Sequence, residues 1–103
     1  MPGPRRVRVH VRILPSDRAG KKLKAVFDTG SGRSKTVHFG AAGMSDYTIH
    51  HDSARKDRYI ARHAARENWH DPMTPGALSR WILWNKRSLA ASVADYRRRF
   101  NLG

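Results

Sequence analysis

Six histidines and eight carboxylates are the groups through which this chain could hold a metal or move a proton. A zinc site needs ligands on one face, such as an i, i+4 pair with a third group nearby. His50 and His51 are adjacent, His63 and His70 lie seven apart across a predicted helix end, and no histidine pair has that spacing. The chain has no cysteine, which excludes disulfides and thiolate sites. Phosphodiester hydrolysis would call for clustered carboxylates around a divalent metal, or for a histidine aimed by a polar partner. The acids are scattered, and His51-Asp52 and His70-Asp71 are the adjacent His–Asp pairs. The sequence thus predicts no catalytic residue, no metal and no cofactor, and the chain reads as a non-enzyme.

Two short strings imitate functional motifs. Asp28-Thr29-Gly30 has the residues of an acid-protease triplet but reads as a turn in so short a chain. The run Gly30-Ser31-Gly32-Arg33-Ser34-Lys35 has the composition of a phosphate loop without its spacing, and a hairpin reversal accounts for it.

Phosphate chemistry is better served by the arginines. Twenty-one Lys and Arg face eight Asp and Glu, a net charge of +13. Solubility asks for a net charge of only about 2–8 on a small domain. Self-repulsion on the larger scale points to a polyanionic partner that neutralises it. The cations fall into groups: Arg5, Arg6, Arg8 and Arg12 near the start; Arg55, Lys56, Arg58, Arg62 and Arg66; Lys86 and Arg87; and Arg97, Arg98 and Arg99. The last three groups are the predicted nucleic-acid-binding residues. No recognition-helix or RNA-binding signature accompanies them, so phosphate contact without base reading is the expectation. Trp81 and Trp84 stand at i, i+3 in an apolar run and are expected in the core. Tyr47 and Trp69 are predicted in loops and, with Arg80, are the candidates for contact with a partner.

The elements that must position these groups follow from periodicity. Residues 7–13 alternate valine or isoleucine with basic residues, residues 22–28 place Leu23, Ala25 and Phe27 on one side, and residues 35–39 carry Val37 and Phe39. These read as a small antiparallel sheet, with a turn over residues 15–20. Asp52 or Ser53 caps a predicted helix over residues 54–67, its buried stripe Ile60, Ala61 and Ala64, with Tyr59 and His63 at the border. Thr74-Pro75 opens a second helix over residues 75–84, and Ser88 opens a third over residues 89–101. Leu89, Val93, Tyr96 and Phe100 form the apolar face of that third helix. The fold class is α+β: a small N-terminal sheet or hairpin, then three short helices. Residues 1–103 form one basic domain in which residues 1–20 are a variable N-terminal strand or arm. No apolar run approaches the roughly 20 residues that cross a bilayer, and no signal core follows the first arginines. Neither a membrane nor a small-molecule substrate is expected, nor is secretion.

Several strings match a wider pattern: Phe39-Gly40-Ala41, Gly43-Met44-Ser45-Asp46-Tyr47-Thr48, Arg58-Tyr59-Ile60, Glu67-Asn68-Trp69, Leu78-Ser79-Arg80-Trp81-Ile82-Leu83-Trp84-Asn85-Lys86, and Ser92 with Asp95-Tyr96. In these the chain resembles a family of small, basic, uncharacterised proteins encoded by large double-stranded DNA viruses, especially of algae. The resemblance spans roughly residues 22–102, leaving the basic start outside it. It implies a virion, or the cytoplasm or nucleus of an infected cell, and carries no catalytic residues across. The expected function is a virion-associated protein that neutralises or organises DNA through arginine–phosphate contacts. One alternative is a minor capsid or cement subunit that meets other assembly proteins. A second is an RNA- or ribosome-associated protein.

Overall fold

The computed structural model describes residues 9–30 and 32–103. The basic residues Arg5, Arg6 and Arg8, the start of the first predicted strand at Val7, and Ser31 lie outside the described residues. The architecture is α+β, as the periodicity predicts. Strands β1 (His10–Pro15), β2 (Lys21–Asp28) and β3 (Ser34–Ala41) form an antiparallel sheet in the order β1-β2-β3. Four helices follow: α1 (Tyr47–His50), α2 (Ser53–His63), α3 (Pro75–Leu78), which runs on as a π-helical turn over Ser79–Leu83, and α4 (Leu89–Arg99).

Alternation sets the register. Val11 pairs with Phe27 and Ile13 with Ala25, while Ala25 pairs with Val37 and Leu23 with Phe39. Side chains of a strand point alternately to its two faces, so one sheet face collects Val11, Ala25, Phe27, Val37 and Phe39. That face is buried against Leu78, Ile82, Leu83, Tyr96 and Leu102. Each large side chain withdrawn there stabilises the fold by about 1.5–3 kcal/mol before chain entropy is charged. The turn at Asp28-Thr29-Gly30 is the reversal expected of it: Asp28 Oδ1 accepts from Gly30 N at 2.9 Å, and Gly30 adopts φ 80°.

The outer edge of β1 is closed by the end of the chain. Val11 N donates to Gly103 O at 2.9 Å, and Gly103 N donates to Val9 O at 2.8 Å. Arg97 Nη2 donates to Val11 O at 2.7 Å. These bonds occupy backbone groups at Val9 and Val11 that a free edge strand would offer to another chain.

The predicted caps hold. Asp52 Oδ1 accepts from Ala54 N and Arg55 N, Thr74 Oγ1 from Ala77 N, and Ser88 Oγ from Ala91 N. Three other expectations need correction. The stretch leading into α2 is not a loop but includes α1, capped by Asp46, whose Oδ1 accepts from Thr48 N at 2.9 Å. The inward face of α2 is Tyr59 with Ile60, His63 and Lys56, whereas Ala61 and Ala64 are exposed. On α4, Val93, Tyr96 and Phe100 of the expected face do pack on the core, but Leu89 is 40 % exposed, and Ser92 and Asp95 are buried beside Tyr96. On α2 and α4, partners outside the helix decide the face. Tyr59 has an aromatic partner on the π-helical turn, and the small Ser92 and the acid Asp95 have polar partners in the segment before α4.

Gly40 is a point of close approach between β3 and the π-helical turn. Its φ is +78°, and a Cβ there would lie 2.8 Å from Leu83 Cδ1 and 3.2 Å from Lys22 Cβ. Both the left-handed backbone and the space require glycine. Gly40→Ala should therefore lower the unfolding free energy by about 1–3 kcal/mol in urea denaturation. A substitution without effect would show that the backbone at residue 40 is free to relax.

Candidate functional site

Helix α2 presents two faces of different chemistry. Arg55, Arg58 and Arg62 stand at i, i+3 and i+7, which places them along one side of the helix. All three are exposed and make no ion pair or hydrogen bond with the described residues. Arg66, in the turn after the helix, is also exposed. Lys56 belongs to the other face. Its Nζ donates to Asn85 O at 2.7 Å and lies 4.8 Å from the Tyr47 ring centre.

That inner face carries a run of rings. Tyr59 stacks on Trp84 at 4.4 Å between centroids, with the planes 3° apart, and on His63 at 4.3 Å. His50 lies 5.3 Å from Trp84. Burial pushes the Tyr59 phenol up to about 12, with the nearby Glu67 charge adding to the shift. The phenol is therefore neutral at physiological pH. Tyr47, expected in a loop and open to a partner, is instead buried in α1, with Ser53 and Arg87 at its hydroxyl holding the phenol below its ordinary value.

Trp81 has different neighbours from Trp84. The Arg99 guanidinium lies 3.8 Å from the Trp81 ring centre and that of Arg80 lies 4.2 Å away. Arg80 also lies 5.5 Å from the Trp69 ring, and Trp81 Nε1 donates to Trp69 O at 3.0 Å. The π-helical turn, closed by Trp84 N donating to Ser79 O at 3.0 Å, is wider than an α turn and separates the two tryptophans. Arg80 Nη1 donates to Trp84 O at 2.9 Å, capping the end of this turn. Burial lowers the Arg80 pKa, and the Arg99 charge lowers it further. Trp69 and Arg80, expected to meet a partner, thus contact each other and Trp81.

The cations at and before α4 are engaged in the same way. Arg97 caps the β1 edge, while Arg98 and Arg99 approach Asp95 at 3.3 and 3.4 Å. Asn85 Nδ2 donates to Asp95 Oδ2 at 2.6 Å, and Lys86 N donates to Ser92 Oγ at 3.0 Å, fastening the segment before α4 onto it. The Lys86 side chain itself is exposed. Of the expected nucleic-acid-binding residues, then, Arg55, Arg58, Arg62, Arg66 and Lys86 face solvent unengaged. Lys56, Arg87, Arg97, Arg98 and Arg99 each have an intramolecular partner.

Beside the arginine row lies a cleft of about 490 Å³, walled by the start of β2, the end of β3, α2 and α3. Its lining includes Lys21, Lys22, Arg62, His63, Asp46 and Glu67 over an apolar floor that includes Phe39, Leu83 and Trp84. Lys22 Nζ donates to Asp46 Oδ2 at 2.5 Å and to Met44 O at 2.6 Å, and His63 Nδ1 lies 3.7 Å from Glu67 Oε1. Lys21 and Arg62 have no such partner among the described residues. Lys21 and Lys22 escaped the sequence reading because their strand neighbours carry no motif. Among the described residues, no three histidine or carboxylate groups gather as a metal would require, and no helix is long and apolar enough to cross a membrane.

Residues 11–63 match a family described as a family of unknown function (DUF5754). The chain belongs to this family. No curated protein and no solved structure matches it. The family segment opens at Val11 in β1, earlier than the start near residue 22 that the viral resemblance implies, and it closes at His63. It therefore contains the sheet, Asp46, Lys21 and Lys22, and the row Arg55, Arg58 and Arg62. The tryptophan turn and α4 lie beyond it.

Asp95 holds the DUF5754 chain's C-terminal segment together, and its environment gives it a pH signature. Burial by itself would push this carboxyl up, but the hydrogen bonds from Asn85 and Arg98 and the Arg99 charge outweigh burial and hold it below 3.8. A carboxyl whose folded value is depressed adds stability that is present above its ordinary value and lost as pH falls through the folded one. Asp95→Asn should therefore lose less stability than the wild type between about pH 5 and pH 2, measured by thermal unfolding at stepped pH. Asp95→Ala should cost about 1–3 kcal/mol at neutral pH, because the buried Asn85 amide loses its acceptor.

Proposed function

We propose that this protein is a non-enzymatic nucleic-acid-binding protein that grips the phosphates of duplex DNA without reading its bases. The observation that carries this reading is the row Arg55, Arg58 and Arg62, continued by Arg66: cations on one side of a capped helix, exposed and unengaged. Arg80, Arg97 and Arg99 are engaged by rings, a carbonyl and Asp95, whereas Arg55, Arg58 and Arg62 stay outward together on one helix. From Arg55 to Arg62 the row runs about 10 Å along the helix axis, the rise of roughly three phosphates along one DNA strand. The resemblance to proteins of large DNA viruses supports a place in the virion, beside the packaged genome.

The test is a titration against a duplex of arbitrary sequence at stepped salt. Binding should tolerate sequence changes, and log K should fall with log salt by about 0.9 for each phosphate neutralised. Replacing Arg55, Arg58 and Arg62 together with alanine should flatten the slope by about 2–3. Weak binding at low salt, or a slope unmoved by the triple substitution, would overturn the reading. Structured RNA outcompeting the duplex would overturn the choice of DNA.

A further inference from the structure

We propose that the cleft beside α2 is a mononucleotide site, taking a nucleoside 5′-monophosphate either free or as the end of a strand. The inference deepens the nucleic-acid reading and rests on it. Its volume, about 490 Å³, lies within the range of roughly 300–1,000 Å³ typical of small-molecule sites.

The charges of the cleft do not cancel. Asp46 is taken by Lys22 and by the cap of α1, and Glu67 faces His63. Lys21 and Arg62 remain, both exposed and both lining the same cavity. Lys21, Lys22 and Arg62 outnumber the two carboxylates of the lining, so the cleft keeps a net positive charge, the sign that attracts a phosphate monoester carrying about −1.5 to −2 at neutral pH. A bare phosphate would leave the rest of the cavity unfilled. The apolar lining includes the exposed Ala41, Met44 and Pro75 and the half-buried Trp84, a surface that suits a flat heterocycle, and the Glu67 carboxylate offers it a hydrogen-bond acceptor.

The walls are held in place before any ligand arrives. Lys22 ties the loop at Met44 and Asp46 to the sheet. Tyr59 is stacked on Trp84, and His63 is stacked in turn on Tyr59. A Cβ at residue 76 would fall on the Glu67 carboxylate, so Gly76 leaves room for that group beside the cleft. A cavity that needs no ordering on binding retains more of its contact energy as affinity.

Calorimetry with adenosine 5′-monophosphate, adenosine and inorganic phosphate tests the site. The monophosphate should bind about tenfold or more tighter than either half. Lys21→Glu, at an exposed position, should weaken it by about tenfold or more, while Lys35→Glu at the opposite end of β3 should change it by less than about twofold. Far-UV circular dichroism of each variant verifies that the fold is kept. A 5′-phosphorylated single strand that competes with the monophosphate better than its 5′-hydroxyl counterpart identifies the strand end as the source. Equal competition by the two strands identifies the free nucleotide. A monophosphate that binds no tighter than inorganic phosphate, or one indifferent to Lys21→Glu, overturns the proposal. Duplex binding separates the two readings: its loss with nucleotide binding retained sinks the duplex reading alone, and the converse result sinks the cleft alone.

Discussion

Eight carboxylates cannot neutralise twenty-one lysines and arginines, and the fold is organised around that shortage. Cations that come together during folding need acceptors other than acids. Carbonyl oxygens supply several: Val11 O takes Arg97, Trp84 O takes Arg80, Asn85 O takes Lys56, and Met44 O takes Lys22. Aromatic faces supply others, with Trp81 between the guanidiniums of Arg80 and Arg99. A cation over a ring is attracted by about 0.5–2 kcal/mol, and a charged donor strengthens the hydrogen bond it makes. Positive charge thus becomes part of the glue, and several of these bonds join elements far apart in the chain.

The π-helical turn is where this economy is arranged in space. By widening the helix after α3 it sends Trp84 toward Tyr59 and His50, and Trp81 toward Trp69, Arg80 and Arg99. The first set anchors α2, and through it one wall of the cleft. The second engages Arg99 of α4. What α2 keeps outward is then determined by what it must turn inward. With Lys56, Tyr59 and His63 committed to the interior side, Arg55, Arg58 and Arg62 fall together on the other.

Membership of the DUF5754 family covers the sheet, α1 and α2, so the arginine row and most of the charged lining of the cleft belong to the shared segment. The C-terminal part packs onto that unit from outside it. Leu78, Ile82 and Tyr96 cover the apolar face of the sheet, while Gly103 and Arg97 close the β1 edge. Coverage of the apolar face and protection of the edge are thus both supplied from beyond the family segment.

The sequence by itself determined what depends on near neighbours. Strand alternation at Leu23, Ala25 and Phe27 is visible in a few residues, as are the caps at Asp52, Thr74 and Ser88 and the turn at Asp28-Thr29-Gly30, because their partners lie within three or four positions. The grouping of Arg55, Arg58 and Arg62 on α2 is legible for the same reason. The tertiary structure decided which cations are spent and which are free. Arg97 is drawn to Val11, eighty-six positions away, and Lys56 to Asn85, twenty-nine away. It also buried Tyr47, exposed Leu89, parted Trp81 from Trp84, and brought Lys21 and Arg62 to one cavity. None of these has a local signal, because each is settled by which acceptor or ring the folded chain brings within a few ångströms.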